Sequence, residues 1–310
     1  MHRGRFAPSP TGRLHLGNAR TALLAWLWAR AAGGTFLLRI EDLDRQRCRA
    51  SFRDDLLRDL EYLGLDWDEP PVVQSERKQA YDEALSRLNE RGRIYECFCS
   101  RAEIARAATA PHGASDEGPP YPGTCLRRDP ARAPAAGGRA PALRFRAREG
   151  TVCFEDDVRG RFCQDVAKDI GDFVVRRNDG VASYQLAVVV DDAHSGLSHV
   201  LRAEDLLSST PRQLLLYEAL ALPPPSFAHV PLVVGRDGKR LAKREGPFAV
   251  AELREAGIPP ERVVGLLAAW SGLGEGPARA SDLAARFELA QVPRQPVVTE
   301  EVEVRRALGM

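Results

Sequence analysis

Residues 5–18 read Arg5-Phe6-Ala7-Pro8-Ser9-Pro10-Thr11-Gly12-Arg13-Leu14-His15-Leu16-Gly17-Asn18, and this stretch decides the fold. Arg5-Phe6 is short and extended, and Pro8 to Gly12 forces a loop, because prolines and a glycine so close together interrupt both helix and central strand. From Leu14 to Ala32 apolar residues recur at helical spacing until Gly33-Gly34 stops the helix. Thr35 to Ile40 is a continuous apolar run of strand length, and Ser51 to Leu63 is an amphipathic helix closed by Gly64. Strand, helix, strand, helix predicts a parallel sheet and places the chain in the α/β class. The first strand-to-helix turn of such a sheet is where phosphates bind. A helix N-terminus aims free N–H groups and positive dipole at an anion, Gly17 lets a ligand approach the backbone, and His15 has a ring N–H to donate to a phosphate oxygen. Taken alone, the loop reads more readily as an ordinary helix start with a surface histidine.

Outward from this segment, Gln74 to Arg91 supplies another helix, and Tyr95-Glu96-Cys97-Phe98-Cys99 opens a different texture. Ala107 to Ala140 is Ala, Pro, Gly and Arg with little periodicity, as expected of an irregular, partly mobile insertion. Leu143 to Arg146 and Thr151 to Glu155 read as strands around the Glu149-Gly150 turn. Ser183 to Asp191 fits a buried strand or a helix, and we read it as a helix. His199 to Arg202 is expected to be a strand, Thr210 to Leu220 a helix with Pro211 in its first turn, and Pro231 to Val234 a strand ending at Gly235. Helices follow at Phe248 to Ala256 and Pro260 to Trp270, and the polar tail after Pro293 is expected to fray or pack loosely.

Composition narrows the function classes. A 310-residue chain, 44% hydrophobic and 28% charged, buries a substantial core as one large domain or two moderate ones. Lys+Arg of 44 against Asp+Glu of 43 leaves a formal charge of +1, so any polyanion must be met by a local patch. No apolar run is long enough to cross a bilayer and no leader is apparent, which argues against secretion and membrane insertion and makes the cytoplasm the default compartment, with a monomer the default state. Six cysteines are too sparse for a disulfide framework, and their spacing suggests a metal instead.

Lysine is nearly absent, and two of the four, Lys239 and Lys243, lie within Gly235-Arg236-Asp237-Gly238-Lys239-Arg240-Leu241-Ala242-Lys243-Arg244. In a chain that otherwise uses arginine, two lysines four residues apart suggest point-charge contacts to phosphates, the alternative being a basic surface turn. A third cluster is Cys97-x-Cys99 followed by Tyr121-x3-Cys125. Cys-x-Cys brings two thiolates within reach of one zinc, and ligands 22 to 26 residues later close a tetrahedron around a segment with no core of its own. His112 is a possible substitute for Tyr121, while Cys48, Cys153 and Cys163 fit no such pattern and read as buried thiols.

With these residues in view, the sequence resembles the class I aminoacyl-tRNA synthetases, within their glutamyl group. Residues 5–18 look like that group's signature ending in the HIGH motif, and Lys239 to Lys243, KRLAK, resembles its KMSKS loop. Gln185 to Leu220 and Phe227 to Leu232 are similar to the family between those motifs, so the resemblance covers most of residues 3–250. It implies a Rossmann-like parallel-sheet catalytic domain that uses ATP with Mg²⁺ to convert glutamate to glutamyl-adenylate, mainly by electrostatic stabilisation of the transferring phosphate. His15 and Lys243 would be catalytic, with Gly17, Asn18 and Lys239 also at ATP. Two positions depart from the pattern, since Asn18 replaces the second motif histidine and Ala242 the serine before the last lysine.

Free glutamate carries two carboxylates and one ammonium, so its pocket needs two cations and an anion. Arg5 and Arg202 offer planar forks for bidentate contact with carboxylates and Glu41 an acceptor for the ammonium. By resemblance these positions match the family's glutamate contacts, together with Phe6, Ala7, Pro8, Ser9 and Tyr184. Only 67 residues follow Lys243, too few for a whole anticodon-binding region. This length and the Cys97, Cys99, Tyr121, Cys125 set resemble a truncated branch of the group in which those four residues bind one structural zinc. That branch activates glutamate without tRNA and transfers it to queuosine at the wobble position of aspartate tRNA. The anticodon stem-loop would then be the RNA partner, with Arg127, Arg128 and Arg132 candidates for its backbone.

The expected organisation is a first catalytic half at 1–94, an insertion at 95–170 holding the zinc-binding segment 97–125 and an acceptor-type subdomain, a second catalytic half at 171–245 with the lysine loop, and a helical stem-like region at 246–310, with no anticodon-binding domain. A compact glutamyl-tRNA synthetase charging the 3′ end of glutamate tRNA and a catalytically silent RNA-binding paralogue are the alternatives.

Overall fold

The computed structural model describes residues 1–100, 102–104, 120–127, 140–238 and 248–310. The lysine loop from Lys239 to Arg244, His112, Arg128, Arg132 and most of the irregular stretch 107–140 lie outside these residues.

In the first half, β1 (Arg3–Phe6), α1 (Leu16–Ala31), β2 (Thr35–Ile40), α2 (Ala50–Tyr62) and β3 (Val72–Val73) alternate as expected. The helix α3 (Lys78–Glu90) leads to β4 (Ile94–Cys97), then come β5 (Ala142–Phe145), β6 (Val152–Asp156), β7 (Gly160–Gln164), the short α4 (Val166–Asp169) and β8 (Phe173–Arg176). In the second half α5 (Tyr184–His194), β9 (His199–Ala203), α6 (Thr210–Leu220), β10 (Ser226–Val230) and β11 (Val233–Val234) complete the sheet region. Downstream lie α7 (Val250–Glu255), α8 (Pro260–Ala269), α9 (Ala280–Ala284), β12 (Val297–Val298) and α10 (Glu301–Leu308). No helix among the described residues is long and apolar enough to cross a membrane.

β1 pairs in parallel with β2, and β2 with β3, while β9 pairs in parallel with β10. The two groups meet where β1 lies against β9, the Ser198 backbone N–H donating to the Arg3 carbonyl at 3.0 Å. The resulting order β3-β2-β1-β9-β10 reverses direction between β1 and β9. Chain connections leave this point on opposite sides, which opens a crevice beyond the carboxyl ends of those two strands.

Side-chain parity assigns the two faces. Phe36, Leu38 and Ile40 of β2, Phe6, Leu201, Ala228 and Val230 pack into one core with α1, α2 and the C-terminal helices. Leu37, Val200 and Phe227 join the opposite core with α3, α5 and α6. Successive strand residues point to opposite faces, so Arg5, Arg39, Arg202 and His229 fall on the α5 side. α1 is apolar on nearly every side because it is enclosed between the sheet and the C-terminal helices.

Several expectations change. The 183–191 segment is helical, as read, with Ser183 accepting a hydrogen bond from the Leu186 backbone as its N-cap. Residues 143–146 and 151–155 do not form one hairpin: β5 pairs with β4 and β8, whereas β6 pairs with β7 and reaches β10 at Phe227–Asp156. The strand expected at 231–234 is only the two residues of β11, and the longer strand of this region, β10, lies just before it. Cys153 and Cys163 are neither buried nor free thiols. They face each other across β6 and β7 with Cα atoms 4.1 Å apart and form a disulfide, a pairing that the strand register creates and the linear spacing does not disclose. Cys48 is a free, half-buried thiol.

The tail also departs from expectation. β12 pairs in parallel with β11, α10 packs on α8, and Val304 and Leu308 are enclosed in the core. Its apolar residues are few but fall on one helical face, and a count of polar residues conceals that. Leu308→Ala is therefore expected to lower stability by about 2–5 kcal/mol, read as the shift in a urea unfolding curve. A change below the error of the curve would return the tail to a loosely packed state.

Candidate active site

At the crevice, Arg5 ends β1, Glu41 follows β2 and Arg202 sits near the end of β9. All three are buried, and a buried guanidinium needs a partner. The partner is Asp192 of α5, whose Oδ1 accepts from Arg39 Nη1 at 2.5 Å and lies 3.6 Å from Arg5 Nε. Arg39 also donates to Glu41 Oε1 through Nε and Nη2, at 3.3 and 3.2 Å. The adjacent Asp191 is engaged elsewhere, accepting from Gln74 Nε2, Arg77 Nε and the Tyr81 hydroxyl at 2.9, 2.6 and 2.8 Å. Among the described residues, three guanidinium groups thus face two carboxylates, Glu41 and Asp192, and the crevice retains positive charge. Burial raises Glu41 above the usual carboxylate range against the pull of Arg39 and Arg5. Burial pushes Asp192 the same way, but Arg39 and Arg5 beside it hold it below that range. The Arg5 Nε and Asp192 Oδ2 atoms are buried and have no hydrogen-bond partner among the described residues.

Arg202 has most of its fork committed. Nε donates to His229 Nε2 at 2.9 Å, and Nη2 donates to Thr210 Oγ1 and Gln213 Oε1, each at 2.8 Å. Only Nη1 remains, 3.4 Å from the Tyr184 hydroxyl. The bidentate contact expected of Arg202 is not available in this arrangement, because a guanidinium has five N–H groups and three of them are spent inside the protein.

In the N-terminal loop, His15 is the half-buried N-cap residue of α1 and forms an antiparallel bridge with Ala249. The Val250 N–H donates to the Leu14 carbonyl at 2.8 Å, so the chain leaving the lysine loop is tied to the phosphate-type turn. Gly17 and Asn18 follow in the first turn, with Asn18 exposed. A Cβ added at Gly17 would meet only Val233 Cβ at 3.9 Å, so internal packing does not require glycine there and its bareness leaves open space at the helix start. Phe6 turns into the core, whereas Ala7 and Pro8 line the loop by backbone, the Pro8 carbonyl accepting from the Glu41 N–H at 2.9 Å. Ser9 is exposed. Lys239 and Lys243 lie outside the described residues.

Far in sequence, Cys97, Cys99 and Cys125 bring their sulfurs within 4.8 Å of one another. The Tyr121 hydroxyl lies 3.5 Å from Cys97 Sγ and 3.8 Å from Cys99 Sγ, and the Cys99 and Cys125 sulfurs are 3.5 Å apart. A tetrahedral zinc with bonds of about 2.3 Å to sulfur and about 2.0 Å to oxygen holds two sulfurs about 3.8 Å apart and a sulfur and an oxygen about 3.5 Å apart. The donor set fits. Arg144 completes the surroundings, stacking over the Tyr121 ring at 3.8 Å and donating to Cys97 Sγ at 3.2 Å. Gly171 has φ +75, and a Cβ there would stand 2.4 Å from the Tyr121 carbonyl, so glycine is what lets this segment dock.

Sequence reasoning placed Arg5, Glu41, Tyr184 and Arg202 around one crevice but missed Arg39, Asp192, Asp156, His229, Thr210 and Gln213. The available signal was polar residues inside apolar runs: Asp191-Asp192 closing a stretch of valines and His229 within Phe227–Val230.

A parallel sheet with a reversal crevice, a phosphate-type turn after its first strand and a buried cluster of charges beyond the carboxyl ends defines a nucleotide-using α/β enzyme of the class I synthetase type. Comparison with known proteins agrees. The family described as tRNA synthetases class I (E and Q), catalytic domain, matches residues 2–302. The chain is 54% identical over 308 residues to a glutamyl-Q tRNA(Asp) synthetase of Symbiobacterium thermophilum, covering 95% of this chain and 94% of that protein. It is 43% identical to a glutamate–tRNA ligase of Heliobacterium modesticaldum over 96% of this chain and 62% of that one. A crystal structure of a glutamate tRNA ligase from Elizabethkingia meningosepticum, in complex with its amino acid, superposes with a TM-score of 0.84 at 28% identity, covering 99% of this chain and 68% of that one. The chain belongs to the glutamyl and glutaminyl family of class I aminoacyl-tRNA synthetases and is a ligase of that type.

His229 gives the site a defined acid response. Burial depresses its pKa from 6.5 to about 4, with Arg202 and Arg5 adding to the effect and Asp156 opposing it. The native imidazole is therefore neutral where the unfolded one is already charged. Between pH 6.5 and 4 the unfolded chain binds more protons, so stability falls as pH drops through that window, by up to on the order of 3 kcal/mol from this residue. An NMR titration is expected to show the His229 ring uncharged until near pH 4. A ring titrating near 6.5 would contradict the arrangement.

Proposed function

We propose that this chain activates glutamate with ATP and Mg²⁺ to glutamyl-adenylate and passes the glutamyl group to queuosine at the wobble position of aspartate tRNA. The observation that carries the amino-acid part is the convergence of Arg5, Arg39 and Arg202 with Glu41 at the crevice, a buried charge balance suited to a ligand with two carboxylates and one ammonium. In this reading Arg5 and Arg202 Nη1 hold the carboxylates, Glu41 takes the ammonium, and Tyr184, Phe6, Ala7, Pro8 and Ser9 shape the rest. The glutamate carboxylate attacks the α-phosphate and pyrophosphate leaves. His15, Gly17 and Asn18 at the start of α1, with Lys239 and Lys243, stabilise the charge spread over the transferring phosphate. AMP leaves when the glutamyl group moves to the modified base. The choice of acceptor is supported by identity, 54% to the relative named glutamyl-Q tRNA(Asp) synthetase against 43% to the glutamate–tRNA ligase.

The decisive experiment offers labelled glutamate, ATP and Mg²⁺ to queuosine-containing aspartate tRNA and to glutamate tRNA side by side. Label on aspartate tRNA alone is expected, with none on the same tRNA lacking queuosine. Label on glutamate tRNA would make the chain a compact synthetase that charges the 3′ end.

Cys97, Cys99, Tyr121 and Cys125 would hold one structural zinc, whose chemistry is to tie segment 120–127 to the end of β4. One zinc per chain is the expected stoichiometry in elemental analysis. Cys99→Ser should lose most of it, whereas Tyr121→Phe keeps three thiolates and should weaken binding by roughly 10- to 100-fold in a chelator competition. Metal retained at full affinity in Cys99→Ser would point to other ligands.

A further inference from the structure

The structure assigns a positioning role to Asp156 and His229: together they set the Arg202 guanidinium so that one terminal nitrogen, Nη1, faces the crevice. The role rests on the glutamate reading above and adds two residues to it, one of them from the β6–β7 hairpin.

The argument follows from hydrogen-bond capacity. The hairpin joins the main sheet at the single register pair Phe227–Asp156, reinforced by the Asp157 N–H donating to the Phe227 carbonyl at 2.9 Å. There Asp156 Oδ1 accepts the backbone N–H groups of Val158, Arg159 and His229 at 3.1, 2.8 and 3.1 Å. Its other oxygen, Oδ2, is left for His229 Nδ1 at 2.6 Å. An ionised carboxylate only accepts, so the proton sits on Nδ1 and Nε2 keeps its lone pair. That lone pair is what receives Arg202 Nε–H at 2.9 Å. With Nε fixed by His229 and Nη2 by Thr210 and Gln213, the planar guanidinium has no rotational freedom left. All three members of the chain Asp156–His229–Arg202 are buried, so water cannot replace a missing partner.

Asp156→Asn tests this with little change in shape. The three backbone N–H groups hold the amide oxygen at the Oδ1 place, which turns the amide NH₂ toward Nδ1. The imidazole must then carry its proton on Nε2, and that N–H opposes the N–H of Arg202. His229→Gln retains one donor and one acceptor at similar reach, whereas His229→Leu removes both.

The assay is ATP–pyrophosphate exchange with glutamate, with ¹⁵N NMR of the imidazole and a melting curve for each variant. In Asp156→Asn the KM for glutamate is expected to rise on the order of 10- to 100-fold, with the KM for ATP unchanged and the ring proton moved from Nδ1 to Nε2. His229→Leu should behave likewise, and His229→Gln should stay within roughly threefold of the unsubstituted chain. A folded Asp156→Asn with an unaltered KM for glutamate overturns the role. So does a rise shared equally by both substrates with a lowered melting temperature, the mark of residues that merely hold the hairpin to the sheet. Should any variant fail to fold, the proton position in the unsubstituted chain still decides, since an Nε2–H ring there excludes the role. Absence of glutamate-dependent exchange in the unsubstituted chain would instead overturn the functional reading on which the role rests.

Discussion

Asp192 is fully buried, and its Oδ1 is shared between Arg39 at 2.5 Å and Arg5 at 3.6 Å. Burying a guanidinium without a counter-charge costs several kcal/mol, and here three of them meet at the ends of neighbouring strands. Asp192 on one side and Glu41 on the other make that possible, leaving one positive charge in excess among the described residues. That excess suits the anionic amino acid proposed as its ligand, because a site neutral before binding would carry an uncompensated charge once occupied. The α5 helix therefore has two tasks: its valines fill the core beneath the sheet, and its last turns deliver the carboxylates that let the arginines stand at the crevice.

The same demand for paired buried charge repeats outward. Asp191, next to Asp192 but on another side of α5, gathers Gln74, Arg77 and Tyr81 and so fixes α3 against α5. Arg202 is satisfied by two elements at once, β10 through His229 and α6 through Thr210 and Gln213. Each link closes a valence that would be costly to leave open, and the crevice inherits rigidity from the sum.

The segment carrying the thiol cluster is attached by a different device. Its own apolar content is small; its donors converge on one point, where the proposed zinc would hold them, and Arg144 reaches the Cys97 sulfur, the Tyr121 ring and the Asp172 carbonyl together. Asp172 in turn accepts from the Tyr95 hydroxyl and the Ala147 N–H, tying β4, β5 and the loop before β8 into one unit. A segment too short to bury a core can be ordered in this way by ligation and a stacked cation.

How much of this was legible in the letters depends on how far apart the interacting residues lie. Periodicity is local, and it correctly gave α1, β2, α2, α6 and the helical character of 184–194, along with the turn at Pro8–Gly12 that opens the site. Spacing grouped Cys97, Cys99 and Cys125, and the family resemblance added Tyr121. Strand register was not legible, so the Cys153–Cys163 bridge and the separation of β5 from β6 came only from the fold. The tail was misjudged because Val304 and Leu308 are few among charges, and only a partner surface reveals that they share a face. At the crevice the letters supplied Arg5, Glu41 and Arg202 as the right chemical types. They could not show that Arg39 meets Asp192 across 153 residues, or that Asp156 and His229 stand behind Arg202, since a side chain's partners are set by which strands become neighbours. The sequence by itself determined the elements and the kinds of charge available. Tertiary structure decided which charges are neutralised and which remain open to a ligand, because that depends on distances between segments remote along the chain.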